Sequence, residues 1–133
     1  MSKYTYPAVF TKEGDWYLVD FPDLECCYTQ GDSLEDAISM AEDVLALTLY
    51  DYEKEGKDIP VPSSVEDIQV KQGEFANYIL CDTMAYRKMF NNKAVKKTLS
   101  IPEWLNEEAT KEGVNFSQVL QEALKNVLGV AKV

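Results

Sequence analysis

Lys96, Thr98 and Ser100 recur at every second position of VKKTLSIP, and Val95, Lys97, Leu99 and Ile101 alternate with them. On a β-strand this alternation puts cationic and hydroxyl groups on one face and a mostly apolar set on the other. Such groups, presented by a narrow ribbon, can exchange hydrogen bonds with the edges of nucleic-acid bases. Further along, Asn115, Phe116 and Ser117 open a helical pattern, where backbone amides without intrahelical partners can hold a phosphate. A second set is acidic: Asp20, Asp23, Glu25, Glu42 and Asp43, with Trp16, Tyr17 and Tyr28 close by in the chain. These acids suit a basic protein surface, and the aromatics could anchor such a contact. The plain alternatives are a solvated charge excess, aromatic core residues, and an edge strand decorated against aggregation.

The chain holds no histidine, which excludes Ser–His and Cys–His nucleophile pairs, histidine-bound zinc and imidazole acid–base work. Its three cysteines, Cys26, Cys27 and Cys81, form no C-x-x-C motif. Cys26 and Cys27 are neighbours, which on a strand point to opposite faces, so all three read as reduced core or interface residues. No metal, cofactor or catalytic residue is expected.

The elements that would position these groups divide at a shift in charge. The 133 residues carry a net charge of −10. Residues 1–90 hold 7 Lys+Arg against 18 Asp+Glu, whereas residues 91–133 hold 6 lysines against 5 glutamates. The predicted division is a first domain over 1–82, a connector or short irregular helix over 83–92, and a small module over 93–133. No run of about 18 apolar residues occurs, so no membrane-spanning helix is expected. The start, MSKYTYPAVF, alternates like a strand and lacks the apolar stretch of a signal peptide, which makes the cytosol the expected location.

In the first part, Tyr4 to Phe10 and Trp16 to Phe21 read as a hairpin across Lys12–Asp15, and Cys26 to Gln30 as a third strand. Pro7 points to an edge or a strand end. Asp32 is the expected N-cap of a long helix, with Glu35 completing a capping box and Gly56 ending it. Leu34, Ile38, Ala41, Leu45 and Leu49 form its apolar face. Val65 to Val70 and Phe75 to Cys81 read as further strands. The sum is an α+β layer, a helix against a small sheet.

In the second part, Pro102 suits the first position of a helix that Gly113 ends, and Asn115 and Gln118 form a capping box for the next. Leu99, Ile101, Trp104, Leu105, Val119, Leu120, Leu124 and Val127 make an apolar set too large for one short strand and two short helices to bury. Two copies solve this: paired strands and a shared core give a ribbon-helix-helix dimer. In that arrangement Lys96, Thr98 and Ser100 read bases and Asn115, Phe116 and Ser117 hold phosphate. Whether pairs of such dimers form a tetramer is left open by the sequence.

Taken together, YPAVF (Tyr6 to Phe10), FPDL (Phe21 to Leu24), TQGDSLEDAI (Thr29 to Ile38), LSIPEWL (Leu99 to Leu105) and NFSQVLQEAL (Asn115 to Leu124) resemble the HicB family of type II antitoxins. The resemblance implies a partial ribonuclease-H-like first domain followed by a ribbon-helix-helix or helical DNA-binding module. It also implies a partner, a small basic HicA-type toxin that cleaves mRNA, and repression of the operon through operator DNA. Trp16, Asp20, Asp23, Glu25, Tyr28, Glu42 and Asp43 are then the candidate toxin-binding residues. The sequence departs from the family in FPDLECC, where many relatives have a proline and a glycine before one cysteine. A stand-alone ribbon-helix-helix repressor with an acidic protein- or ligand-binding domain is the alternative. A metal-dependent nuclease fits less well, because the first strand has no acid, Asp20 stands alone, and Asp36 and Asp43 share one helix surface.

Overall fold

The computed structural model describes residues 2–130; the first residue expected for the domain over 1–82 and the last three of the module over 93–133 lie outside the described residues. The chain forms two compact units, one reaching to Lys93 and one beginning at Ala94.

The first unit is built on an antiparallel sheet of order β3-β2-β1-β4. β1 (Lys3–Glu13) turns at Gly14, whose φ of 64° suits a residue without a Cβ, and returns as β2 (Trp16–Asp20). β3 (Tyr28–Gly31) pairs with β2, and β4 (Glu74–Asp82) pairs with β1 from Lys3↔Asp82 to Thr11↔Glu74. The period of two sorts the side chains. Tyr6, Ala8, Phe10, Val19 and Ile79 point inward and are buried, whereas Thr11, Trp16, Leu18, Asp20 and Tyr28 share the outer face.

The inner face is covered by α1 (Leu34–Glu55), through Ala37, Ala41, Leu45 and Leu49. These residues are four apart and so form one ridge along the helix. The alanines let the first turn approach β3 closely. A Cβ on Gly31 would stand 2.3 Å from the Ala37 amide nitrogen, so glycine is required there.

Several expectations need correction. Ser33, not Asp32, caps α1: its hydroxyl accepts from the Asp36 amide at 3.1 Å, and the Asp36 carboxylate accepts from the Asp32 amide at 2.9 Å. The third strand begins at Tyr28, not Cys26. The Phe21 amide donates to the Cys27 carbonyl and closes a loop in which Cys26 adopts a φ of 55°. This left-handed conformation breaks the strand and leaves Cys26 exposed beside a buried Cys27. Val65 to Val70 forms no strand: the Ser64 hydroxyl accepts from the Glu66 amide and turns the chain, so Val65–Asp67 is a 3-10 turn whose Val65 amide donates to the Tyr78 hydroxyl.

Pro7 lies on a central strand rather than an edge. The β1–β2 pairing begins at Val9↔Asp20, so β2 asks no amide of Pro7. Finally, the connector or short irregular helix expected over 83–92 is a regular helix over most of its length, α2 (Thr83–Phe90), packed on α1. The Asp82 carboxylate caps it by accepting from the Met84 amide.

The second unit contains α3 (Glu103–Lys111) and α4 (Phe116–Leu128). Pro102 is the N-cap of α3 rather than its first residue, a shift of one position. Residues 91–102 have no regular secondary structure, so the strand expected over Val95 to Ile101 does not form within the single chain. A strand exists only by pairing, and no described segment of the same chain pairs with it. No residue of α3 or α4 is buried. Among the described residues, no helix is long and apolar enough to cross a membrane.

Candidate functional site

The second unit preserves the alternation read in VKKTLSIP. Val95, Lys97, Leu99 and Ile101 line one groove of about 650 Å³ with Leu105, Ala109, Val114, Phe116, Val119 and Leu120. Lys96, Thr98 and Ser100 are absent from that lining and are exposed. The expected dimer residues are accordingly open, apart from a part-buried Leu120: Leu99, Ile101, Leu105, Val119 and Leu124 are 41–55% exposed, Trp104 is 66% and Val127 is 82%.

At the start of α4 the Asn115 side chain accepts from the Gln118 amide at 3.1 Å, which satisfies one first-turn donor. The amides of Phe116 and Ser117 keep no acceptor among the described residues and remain available to an anion. The Ser117 hydroxyl oxygen accepts from the Gln121 side-chain amide, leaving its own O–H free to donate.

The acidic candidates of the first unit do not form one site. Trp16, Asp20 and Tyr28 lie on the outer sheet face, with Asp20 directly across from Tyr28. Val9, Leu18 and Tyr28 line a shallow cleft with Asp20, and burial pushes its carboxyl above the ordinary aspartate value. Asp23 ties its loop to a distant segment, accepting from the Ser63 hydroxyl at 2.6 Å and the Ser63 amide at 2.9 Å. Glu25 sits exposed in the loop before Cys26. Glu42 and Asp43 belong to the solvent side of α1, on the other side of the sheet from Asp20. Tyr17, also considered as an anchor, packs partly buried against the core.

Sequence reasoning missed the residue that joins three elements. The Glu53 carboxylate accepts from the Tyr4 hydroxyl at 2.7 Å, the Thr83 hydroxyl at 3.0 Å and the Arg87 guanidinium at 3.0 Å. Burial, then the hydrogen bond to Glu53, pushes the Tyr4 hydroxyl up to about 12. Burial also raises the Cys81 thiol to about 12 and the Cys27 thiol above its ordinary value, which keeps both neutral and poorly nucleophilic. Among the described residues, no group of three His, Cys, Asp or Glu side chains is placed to hold a metal ion.

A family model described as "HicB_like antitoxin of bacterial toxin-antitoxin system" matches residues 6–123. The chain is 31% identical over 88 residues to "Antitoxin HicB 2" of Photorhabdus laumondii subsp. laumondii, a match covering 65% of this chain and 63% of that relative. The chain thus spans less than two thirds of that relative's length. Among solved structures, it resembles a chain of a toxin–antitoxin complex from Streptococcus pneumoniae (TM-score 0.62, 27% identity), covering 93% of this chain and 98% of that one. It also resembles the crystal structure of antitoxin HicB3 (TM-score 0.51, 25% identity), covering 97% of this chain and 100% of that one.

Proposed function

The chain belongs to the HicB-like antitoxins of bacterial toxin–antitoxin systems, and on that premise we propose a function for each unit. The first unit binds and neutralises a HicA-type mRNA-cleaving toxin, acting as a surface and not as an enzyme. The second unit is a ribbon-helix-helix module that makes the protein a homodimer and binds operator DNA, so that the protein represses its own operon.

The observation that carries the second part is the groove beside the unpaired segment Val95 to Ile101. Leu99, Ile101, Leu105 and Phe116 are 41–55% exposed in a unit with no buried residue in either helix, which leaves it without a core of its own. A second copy supplies both a strand partner and a covering apolar surface. Pairing would then turn Lys96, Thr98 and Ser100 outward together as a ribbon face, with the open amides of Phe116 and Ser117 beside a phosphate. For the first part, the support is family membership and the net charge of residues 1–90, 18 acidic against 7 basic residues, which favours encounter with a basic toxin.

The decisive experiment is a mobility shift on the promoter DNA of the protein's own operon. The triple variant Lys96→Ala/Thr98→Ala/Ser100→Ala should lose discrimination for that site, at about 1–3 kcal/mol per base-reading contact. Wild-type binding should also weaken steeply with salt as counterions are released. Equal binding by the triple variant would remove the ribbon from its proposed role.

A further inference from the structure

The surface against which the toxin docks can be narrowed from the first unit as a whole to one groove, a step that rests on the antitoxin reading. The solvent side of α1 and the end of α2 leave large apolar side chains uncovered: Met40 is 40% exposed, Leu47 43%, Met89 74% and Phe90 65%. Cavities of about 190 and 400 Å³ run beside them, and Asp43, Tyr86, Met89 and Phe90 line both. The ionisable groups in these linings that carry charge at neutral pH are Glu42, Asp43 and Asp82, all acids. The Cys81 thiol in the floor stays neutral.

This wall is held in place before any partner arrives. The Tyr86 ring lies 5.4 Å from Tyr50 and 4.6 Å from Phe90, forming a row of three aromatics across α1 and α2. The Arg87 side chain lies over Tyr50 and pairs with Glu53, which fixes α2 from the other side. A preformed aromatic row with an acidic rim binds at low ordering cost.

We propose that this α1–α2 groove, with Asp43 at its centre, receives a Lys- or Arg-flanked apolar segment of the HicA-type toxin. Charge selects this occupant over the others. A second copy docked by two-fold symmetry would set Glu42 and Asp43 against their own equivalents, with no cation in the groove lining to relieve them. Nucleic acid would bring phosphates to the same carboxylates. A basic protein segment instead pairs its cations with Asp43 and Glu42 while its apolar side chain covers Met89 and Phe90. Neutralisation follows if the toxin uses those cations to hold RNA, because the groove then occupies the groups that the phosphates need.

The test uses the full-length protein and its purified cognate toxin, with affinity measured by calorimetry at low and high salt. Asp43 is exposed, so Asp43→Lys should leave the fold intact and weaken binding by about tenfold or more, with a smaller loss at high salt. The double variant Met89→Ala/Phe90→Ala should weaken binding to a similar extent at both salts. Tyr28→Ala, on the outer sheet face, should stay within about twofold of wild type. Wild-type affinity in both groove variants would overturn the groove while leaving the antitoxin reading standing. A Tyr28→Ala loss exceeding that of Asp43→Lys would move the site to the sheet. Sedimentation in which the double variant alone lowers the oligomeric state would make the groove a contact between copies and refute the assignment. A wild type that does not bind the toxin would overturn this proposal and the reading beneath it together.

Discussion

Asp20 illustrates how apolar neighbours on a sheet surface can set a single carboxylate against its own fold. It stands beside Val9, Leu18 and Tyr28, and desolvation holds its carboxyl pKa above the ordinary 3.8. A raised carboxyl pKa means that the folded state favours the neutral form. No penalty exists below the ordinary value, and stability is lost as pH rises through the folded-state pKa. Asp20→Asn should therefore be more stable than wild type at neutral pH, with the difference closing in acid; urea titrations from about pH 3 to 7 would measure it. No gain at neutral pH would mean that the carboxylate is adequately solvated. Other single residues were legible only to within one position. Asp32 and Ser33 are both good caps, and sequence cannot rank two adjacent hydroxyl and carboxylate acceptors when the choice depends on where the loop enters the helix. Gly31 gave no signal at all, because its requirement is the 2.3 Å approach of the Ala37 amide nitrogen, a tertiary fact.

At the scale of elements, the hairpin and α1 were readable because a period of two and an apolar ridge are local properties of the chain. α2 was readable only as a connector or a short irregular helix, since its eight residues gain definition from what they touch. The missing clue lay in α1. The buried row Ala37, Ala41, Leu45 and Leu49 continues by one more step of four to Glu53, an acid at the end of an apolar ridge. An acid so placed needs donors from elsewhere, and Tyr4, Thr83 and Arg87 supply them. Glu53→Ala should cost about 1–3 kcal/mol, a range discounted for the partial exposure of Arg87. The same variant should speed amide exchange across Thr83–Phe90 more than across β1. Uniform exchange in the two elements would show that α2 is held by its aromatic contacts alone. The segment 65–70 failed as a strand for a local reason: the Ser64 hydroxyl caps a 3-10 turn over Val65–Asp67, which overrides the β-branched residues that suggested a strand.

For the whole molecule, the division of charge and the division of packing fall close together. Every buried hydrophobic residue described lies at or before Ile79, whereas the second unit places its apolar side chains on a surface. The first unit therefore has a core that can fold alone, and in the proposed dimer the second acquires one from another copy. Separating them after Lys93 should give two distinct behaviours. Residues 1–93 retain the acidic α1–α2 groove and the Glu53 contacts, so this fragment should inhibit RNA cleavage by the toxin and fail to shift operator DNA. Residues 94–133 should sediment as a dimer, bind DNA in a salt-sensitive manner, and leave cleavage untouched. Leu124→Asp in that fragment puts a charge into the paired surface and should return it to an unfolded monomer. The informative measurement is toxin activity titrated with residues 1–93 that circular dichroism shows to be folded. Full cleavage at saturating fragment would mean that neutralisation needs the paired second unit, through avidity or through a surface that only the assembled protein presents. Inhibition matching the whole protein would assign neutralisation to the first unit and leave pairing and DNA binding to the second.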